Sequence, residues 1–83
     1  MLEGPLTFQT IHAHRDAIMK SMGSSGDLTI DLSGVESIDL AGAQLLVAVH
    51  RSLAARNASL RVTHAERYRR ICGFAGIQPL GAT

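Results

Sequence analysis

With 83 residues, a formal net charge of +1 and charged side chains at 18% of its composition, this chain is expected to form one domain over 1–83, and it lacks the cationic excess of a nucleic-acid binder. A fold of this size buries roughly 60–65% of its unfolded surface, so nearly every apolar residue is needed for the core and little is left for an elaborate active site. The single cysteine, Cys72, excludes an internal disulfide. With no signal peptide and no apolar run of membrane-spanning length, the chain reads as cytoplasmic and without membrane insertion.

Leu6, Thr7 and Phe8, after Pro5, read as a short first strand. Thr10 then stands where a helix cap is needed, and Ile11, Ile18 and Met22 recur at helical spacing. Gly23 to Gly26 stops that helix and provides a turn, and Leu28 to Leu32 is rich in residues suited to a central strand.

The strongest helix runs from Leu40 to about Arg56, with Gly42, Leu45, Leu46, Val49 and Leu53 on one face. Asn57 suits the left-handed geometry that ends it, and Leu60 and Val62 carry the next strand. Thr63 and Glu66 have capping-box spacing ahead of a last helix that buries Tyr68, Ile71, Cys72 and Ala75. Gly76 stops it, and Ile77 folds back before Pro79. Strand and helix thus alternate three times with short links. The pattern predicts parallel strands joined by right-handed crossovers, an α/β sandwich without internal repeats.

The chemistry-bearing residues are sparse. His12 and His14 fall on different helix faces and His50 and His64 are isolated, so no metal site is expected. Gly23 to Gly26 lacks the lysine of a phosphate loop, and Arg67, Arg69 and Arg70 read as a solvated helix face. Asp31 and Asp39 form a carboxylate pair without a nucleophile, histidine or metal placed by motif, which is weak ground for catalysis. No catalytic residue, metal or cofactor is assigned. Asp39 caps the long helix through its first amides, Gly42 serves close packing, and Cys72 is a buried structural thiol. Ala43, Val47 and Ala54 lie on a flank of the same helix beside His50, a smooth patch that a partner helix can approach.

The segment "LTIDLSGVESIDLAGAQLLVAVHRSLAARNASLRV", Leu28 to Val62, resembles STAS domains, the family of bacterial anti-sigma factor antagonists and of sulfate-transporter cytoplasmic tails. The likeness rests on Asp31-Leu32-Ser33 ending a strand, a spacer with Val35 and Ile38, Asp39-x-x-Gly42 opening a long helix, and a strand after a polar turn; it extends into "HAERYRRICGFAGI". The resemblance implies a small β-sheet with helices packed on it. The family usually opens with a strand pair before the first helix, whereas here only Leu6 to Phe8 is available, so a compact N-terminal edge is expected.

In regulated antagonists the residues between the aspartate and the glycine include the serine or threonine that a partner kinase phosphorylates. Those positions hold Leu40 and Ala41, so no phosphorylation is expected at the family position, although Ser33 and Ser37 remain nearby. The partner surface of STAS antagonists includes the start of this helix and the loop before it, which points to Ser37, Asp39, Leu40, Ala41, Ala43, Gln44 and Val47. The expected function is that of a protein-binding module, not an enzyme, engaging a kinase-like anti-sigma factor. The alternative is a STAS subunit of an ABC-type lipid transporter, bound to its ATPase; those proteins tend to carry threonine directly after the aspartate, where this chain has Leu40.

Overall fold

The computed structural model describes residues 4–21 and 27–82 and turns the alternating periods into five regular elements. Helix α1 spans Ile11–Ser21, strand β1 Leu28–Asp31, helix α2 Leu40–Ala54, strand β2 Leu60–Thr63 and helix α3 Glu66–Ala75. Met22 and the turn expected at 23–26 lie outside the described residues. The α/β architecture is the expected one: β1 and β2 pair in parallel, Leu28 opposite Leu60 and Ile30 opposite Val62, with α2 as the crossover. Ile30, Leu60 and Val62 turn into the core, while Thr29 and Arg61, one residue out of phase, are exposed. The helices therefore layer on the face that carries Ile30, Leu60 and Val62.

The strand expected at Leu6 to Phe8 is reduced to a single parallel bridge between Leu6 and Ile38. The reason lies in the next amides. The Thr7 N–H donates to Thr10 Oγ1 at 3.0 Å and the Phe8 N–H to Asp39 Oδ2 at 2.9 Å, so neither is free for a sheet ladder. The Thr10 hydroxyl in turn donates back to the Pro5 carbonyl at 2.8 Å, and thereby fastens the loop instead of capping α1.

In α2, the predicted face of Gly42, Leu45, Leu46, Val49 and Leu53 is buried, with Leu46 fully so. Asn57 takes the left-handed conformation at φ 59°, and Gly76 ends α3 at φ 70°, with the Ile77 N–H reaching the Cys72 carbonyl at 2.8 Å. The capping box at Thr63 and Glu66 does not form. Thr63 still belongs to β2, where its carbonyl accepts the Leu32 N–H at 3.1 Å, so Ala65 becomes the N-cap and offers no side-chain acceptor. On α3 the buried stripe narrows to Tyr68 and Cys72; Ile71 is half-buried and Ala75 exposed, contrary to expectation.

Beyond α3, the Val62 N–H donates to the Gly81 carbonyl at 2.8 Å, which lays Gly81 and Ala82 along the outer edge of β2. The fully buried Tyr68 donates its hydroxyl to the Leu80 carbonyl at 2.8 Å and so ties that tail to α3. Burial raises the phenol far above its ordinary pKa and also raises the Cys72 thiol, in keeping with an inert core residue.

Candidate partner-binding site

The loop between β1 and α2 is anchored by buried apolar residues and presents polar ones. Leu32 and Val35 enter the core, and Ile38 bridges to Leu6, which leaves Glu36 and Ser37 exposed between them. The loop gains a second support from the N-terminal segment: the Gly4 N–H donates to the Gly34 carbonyl and the Leu6 N–H to the Ser37 carbonyl, both at 2.9 Å.

Asp39 closes this arrangement. Its backbone is extended, as an N-cap requires, and its carboxylate divides between two elements. Oδ1 accepts the Gly42 N–H at 3.0 Å and Oδ2 the Phe8 N–H at 2.9 Å, while the Asp39 N–H itself donates to the Leu6 carbonyl at 3.3 Å. The amide of Phe8 foremost, with those of Gly42 and Ala41, holds the carboxyl below the usual carboxylate range, because each favours the anion. Gly42 is required by the same contact. A Cβ there would overlap the Leu6 carbonyl oxygen and stand 2.9 Å from Leu6 Cγ, so the close approach is to the N-terminal segment.

The residues expected to meet a partner separate into two groups. Ser37, Leu40 and Gln44 are exposed, and Ala41 and Asp39 are half-buried at the helix start. Ala43 and Val47 are instead core residues at 0% and 6% exposure, so the open flank expected on α2 is corrected: of Ala43, Val47 and Ala54 only Ala54 is exposed. Their place on the helix faces the packed interior alongside Leu46, and α3 lies against α2.

Phe8 is the residue the sequence reading missed. It is 74% exposed, and the Asp39 bond brings its backbone to the start of α2, where Leu40 is 40% exposed. A lone aromatic between Thr7 and Gln9 carries no periodic signal, and its role becomes legible only once the amide that Asp39 captures is known.

The second aspartate has other company. Asp31 Oδ1 accepts the Ser33 N–H at 2.9 Å and stands 2.9 Å from His64 Nδ1, at the carboxyl ends of the two strands. The Ser33 amide is the main cause of its lowered pKa, with His64 contributing less. Asp31 and Asp39 therefore belong to separate hydrogen-bonded groups. Among the described residues, no three His, Cys, Asp or Glu side chains gather as metal ligands, and no helix is long and apolar enough to cross a membrane.

No curated protein and no solved structure matches this chain. The family model described as "Mlab, STAS domain" does match, over residues 1–77. With the Asp39-capped helix and the parallel sheet behind it, that match establishes that the chain belongs to the STAS domain family.

Proposed function

We infer that this chain is a protein-binding module, anti-sigma factor antagonist-like in its action, that engages a kinase-like anti-sigma factor through the start of α2 without a phosphate-controlled release. The observation that carries this reading is the apolar platform at the capped helix start. Leu40 is exposed there next to Ala41, the exposed Phe8 is tied to the helix start through its amide on Asp39, and neither position between Asp39 and Gly42 has a hydroxyl. Exposed large apolar side chains grouped at a rigid element form the kind of surface that partner proteins cover. Ala43 and Val47 are buried in α2 and drop out of this surface.

A second reading, a STAS subunit of an ABC-type lipid transporter bound to its ATPase, fits the absence of a hydroxyl at Ala41, while Leu40 departs from the threonine those proteins tend to carry after the aspartate. A subunit that stays on its ATPase needs no charge-driven release.

Affinity capture with the full chain as bait, beside Ala41→Asp as control, separates these readings by whether an anti-sigma kinase or a transporter ATPase is retained. Ala41→Asp should weaken retention by about 1 kcal/mol or more, since it buries a charge at an apolar contact. Intact-mass measurement after incubation with the captured partner and ATP should show no added phosphate, and Ala41→Ser should create a site for a kinase partner. Unchanged binding by Ala41→Asp moves the interface elsewhere, and phosphate on Ser37 of the unaltered chain overturns the unregulated reading.

A further inference from the structure

The chain has two phenylalanines, and neither is in the core. Phe8 belongs to the platform at the start of α2. Phe74, 84% exposed, stands on the last turn of α3, where it lines a cleft of about 260 Å³ between that helix and the loop that leads to α2. From α3 the cleft takes Arg67, Arg70, Ile71 and Phe74, spaced i, i+3, i+4 and i+7 and so on one face of the helix; Glu36 and Ile38 are on the opposite wall. Tyr68 and Cys72 hold α3 to the core from another face. An exposed phenylalanine forgoes the stabilisation of burial, which a chain this short does not leave unused without a cost.

The charges in the cleft are unequal, two guanidinium groups against one carboxylate. Arg67 is already turned toward the loop, its Nη1 donating to the Val35 carbonyl at 3.4 Å. A carboxylate arriving from outside finds planar donors on one side and an apolar wall of Ile38, Ile71 and Phe74 next to them. Resting on the reading of the chain as a protein-binding module, we propose that this cleft receives an extended segment of the partner protein in which an acidic side chain is adjacent to an aliphatic or aromatic one. The acid lies by Arg67 and Arg70, and the apolar side chain lies against Phe74. An anionic membrane is the competing occupant of a helix face bearing arginine and phenylalanine, but a cleft walled by two elements, α3 and the loop at 36–38, suits an inserted side chain better than a flat lipid surface.

The test uses the full chain, labelled with nitrogen-15 and titrated with a capped hexapeptide, Asp-Glu-Leu-Leu-Asp-Glu. The parallel arms are Lys-Lys-Leu-Leu-Lys-Lys, Asp-Glu-Gly-Gly-Asp-Glu and phosphatidylglycerol vesicles. The acidic apolar peptide should shift the amides of 36–38 and 67–74, and both control peptides should bind at least fivefold more weakly. Arg70→Glu and Phe74→Ala should each weaken that binding at least fivefold without lowering the unfolding midpoint, because both side chains are exposed. Equal binding of the lysine peptide, shifts confined to other residues, or a response at the cleft to vesicles alone each overturn the proposal. The two readings fail separately. If a captured partner tolerates Arg70→Glu and Phe74→Ala but not Ala41→Asp, the cleft assignment falls and the protein-binding reading stands; if it tolerates all three, the cleft assignment falls and the interface at the start of α2 falls with it; if no partner is captured, the protein-binding reading itself falls.

Discussion

Gly42→Ala sets local and tertiary effects against one another. Within a helix alanine is favoured over glycine by about 1 kcal/mol, so propensity alone predicts a more stable protein. The surroundings reverse the sign. The new methyl would overlap the Leu6 carbonyl oxygen and crowd Leu6 Cγ at 2.9 Å. That carbonyl accepts the Asp39 N–H, and the Phe8 N–H two residues on donates to the Asp39 carboxylate, so the segment is held against α2 from both sides. To admit the methyl it must retreat, which weakens these two bonds at about 0.5–1.5 kcal/mol each and opens part of the Leu6 site, worth about 1.5–3 kcal/mol when fully buried. Against the propensity gain, a net loss of about 2 kcal/mol results, within the usual range for overpacking. Gly73→Ala is the control, since a Cβ at that exposed helical position meets nothing within 4 Å. In urea melts followed by far-UV circular dichroism, Gly42→Ala should lower the midpoint and Gly73→Ala should raise stability by about 1 kcal/mol. Stabilisation by both would mean that residues 4–8 do not lie against α2.

On the buried face of α2, Leu46→Ala should cost about 2–5 kcal/mol and Gln44→Ala no more than about 0.5 kcal/mol; equal midpoints in the same urea assay would mean the helix is rotated. Tyr68→Phe removes the hydroxyl donated to the Leu80 carbonyl and should cost about 1 kcal/mol, with hydrogen exchange of the Ala82 amide accelerated more than that of Leu46. Asp39→Asn should lose about 1–2 kcal/mol near neutral pH, because one amide oxygen replaces two acceptors and an NH₂ group faces an N–H. The folded pKa of Asp39 is depressed, so its contribution is complete above the ordinary carboxylate value of about 4 and is lost as pH falls through the folded value. The midpoints of wild type and Asp39→Asn should therefore converge in acid, and a constant gap would refute the double-acceptor account.

The elements that were legible in the sequence are those whose cause is local. The buried face of α2 follows from apolar spacing, and Asn57 and Gly76 follow from the residue types that tolerate positive φ. The Asp39 cap on Gly42 is local in the same sense. Where a distant group decides, the reading failed. Leu6 to Phe8 has strand-like residues, but Asp39 and Thr10 take its amides. Thr63 and Glu66 have capping spacing, but pairing with β1 keeps Thr63 in the sheet. Ala43 and Val47 looked like an open flank, since small side chains on a helix do not announce that they will be buried. The two exposed phenylalanines depart from the expectation that so short a chain needs nearly every apolar residue for the core.

Because Asp39 gives one oxygen to α2 and the other to Phe8, cap and platform form together, and a change near the helix start risks altering fold and binding at once. Ala41→Asp avoids this difficulty. Helix α2 has no acidic residue in its first turn, and position 41 lies at the positive end of the helix dipole, where a carboxylate is favoured by about 0.3–1 kcal/mol. Repulsion from the Asp39 carboxylate offsets part of that gain, which leaves the stability of the free chain close to unchanged. The same charge meets an apolar partner surface only in the complex, where it must be desolvated without a counter-ion. Stability measured on the free chain and affinity measured on the complex should thus diverge for this variant, so a loss of binding with an unchanged urea midpoint reports the contact itself.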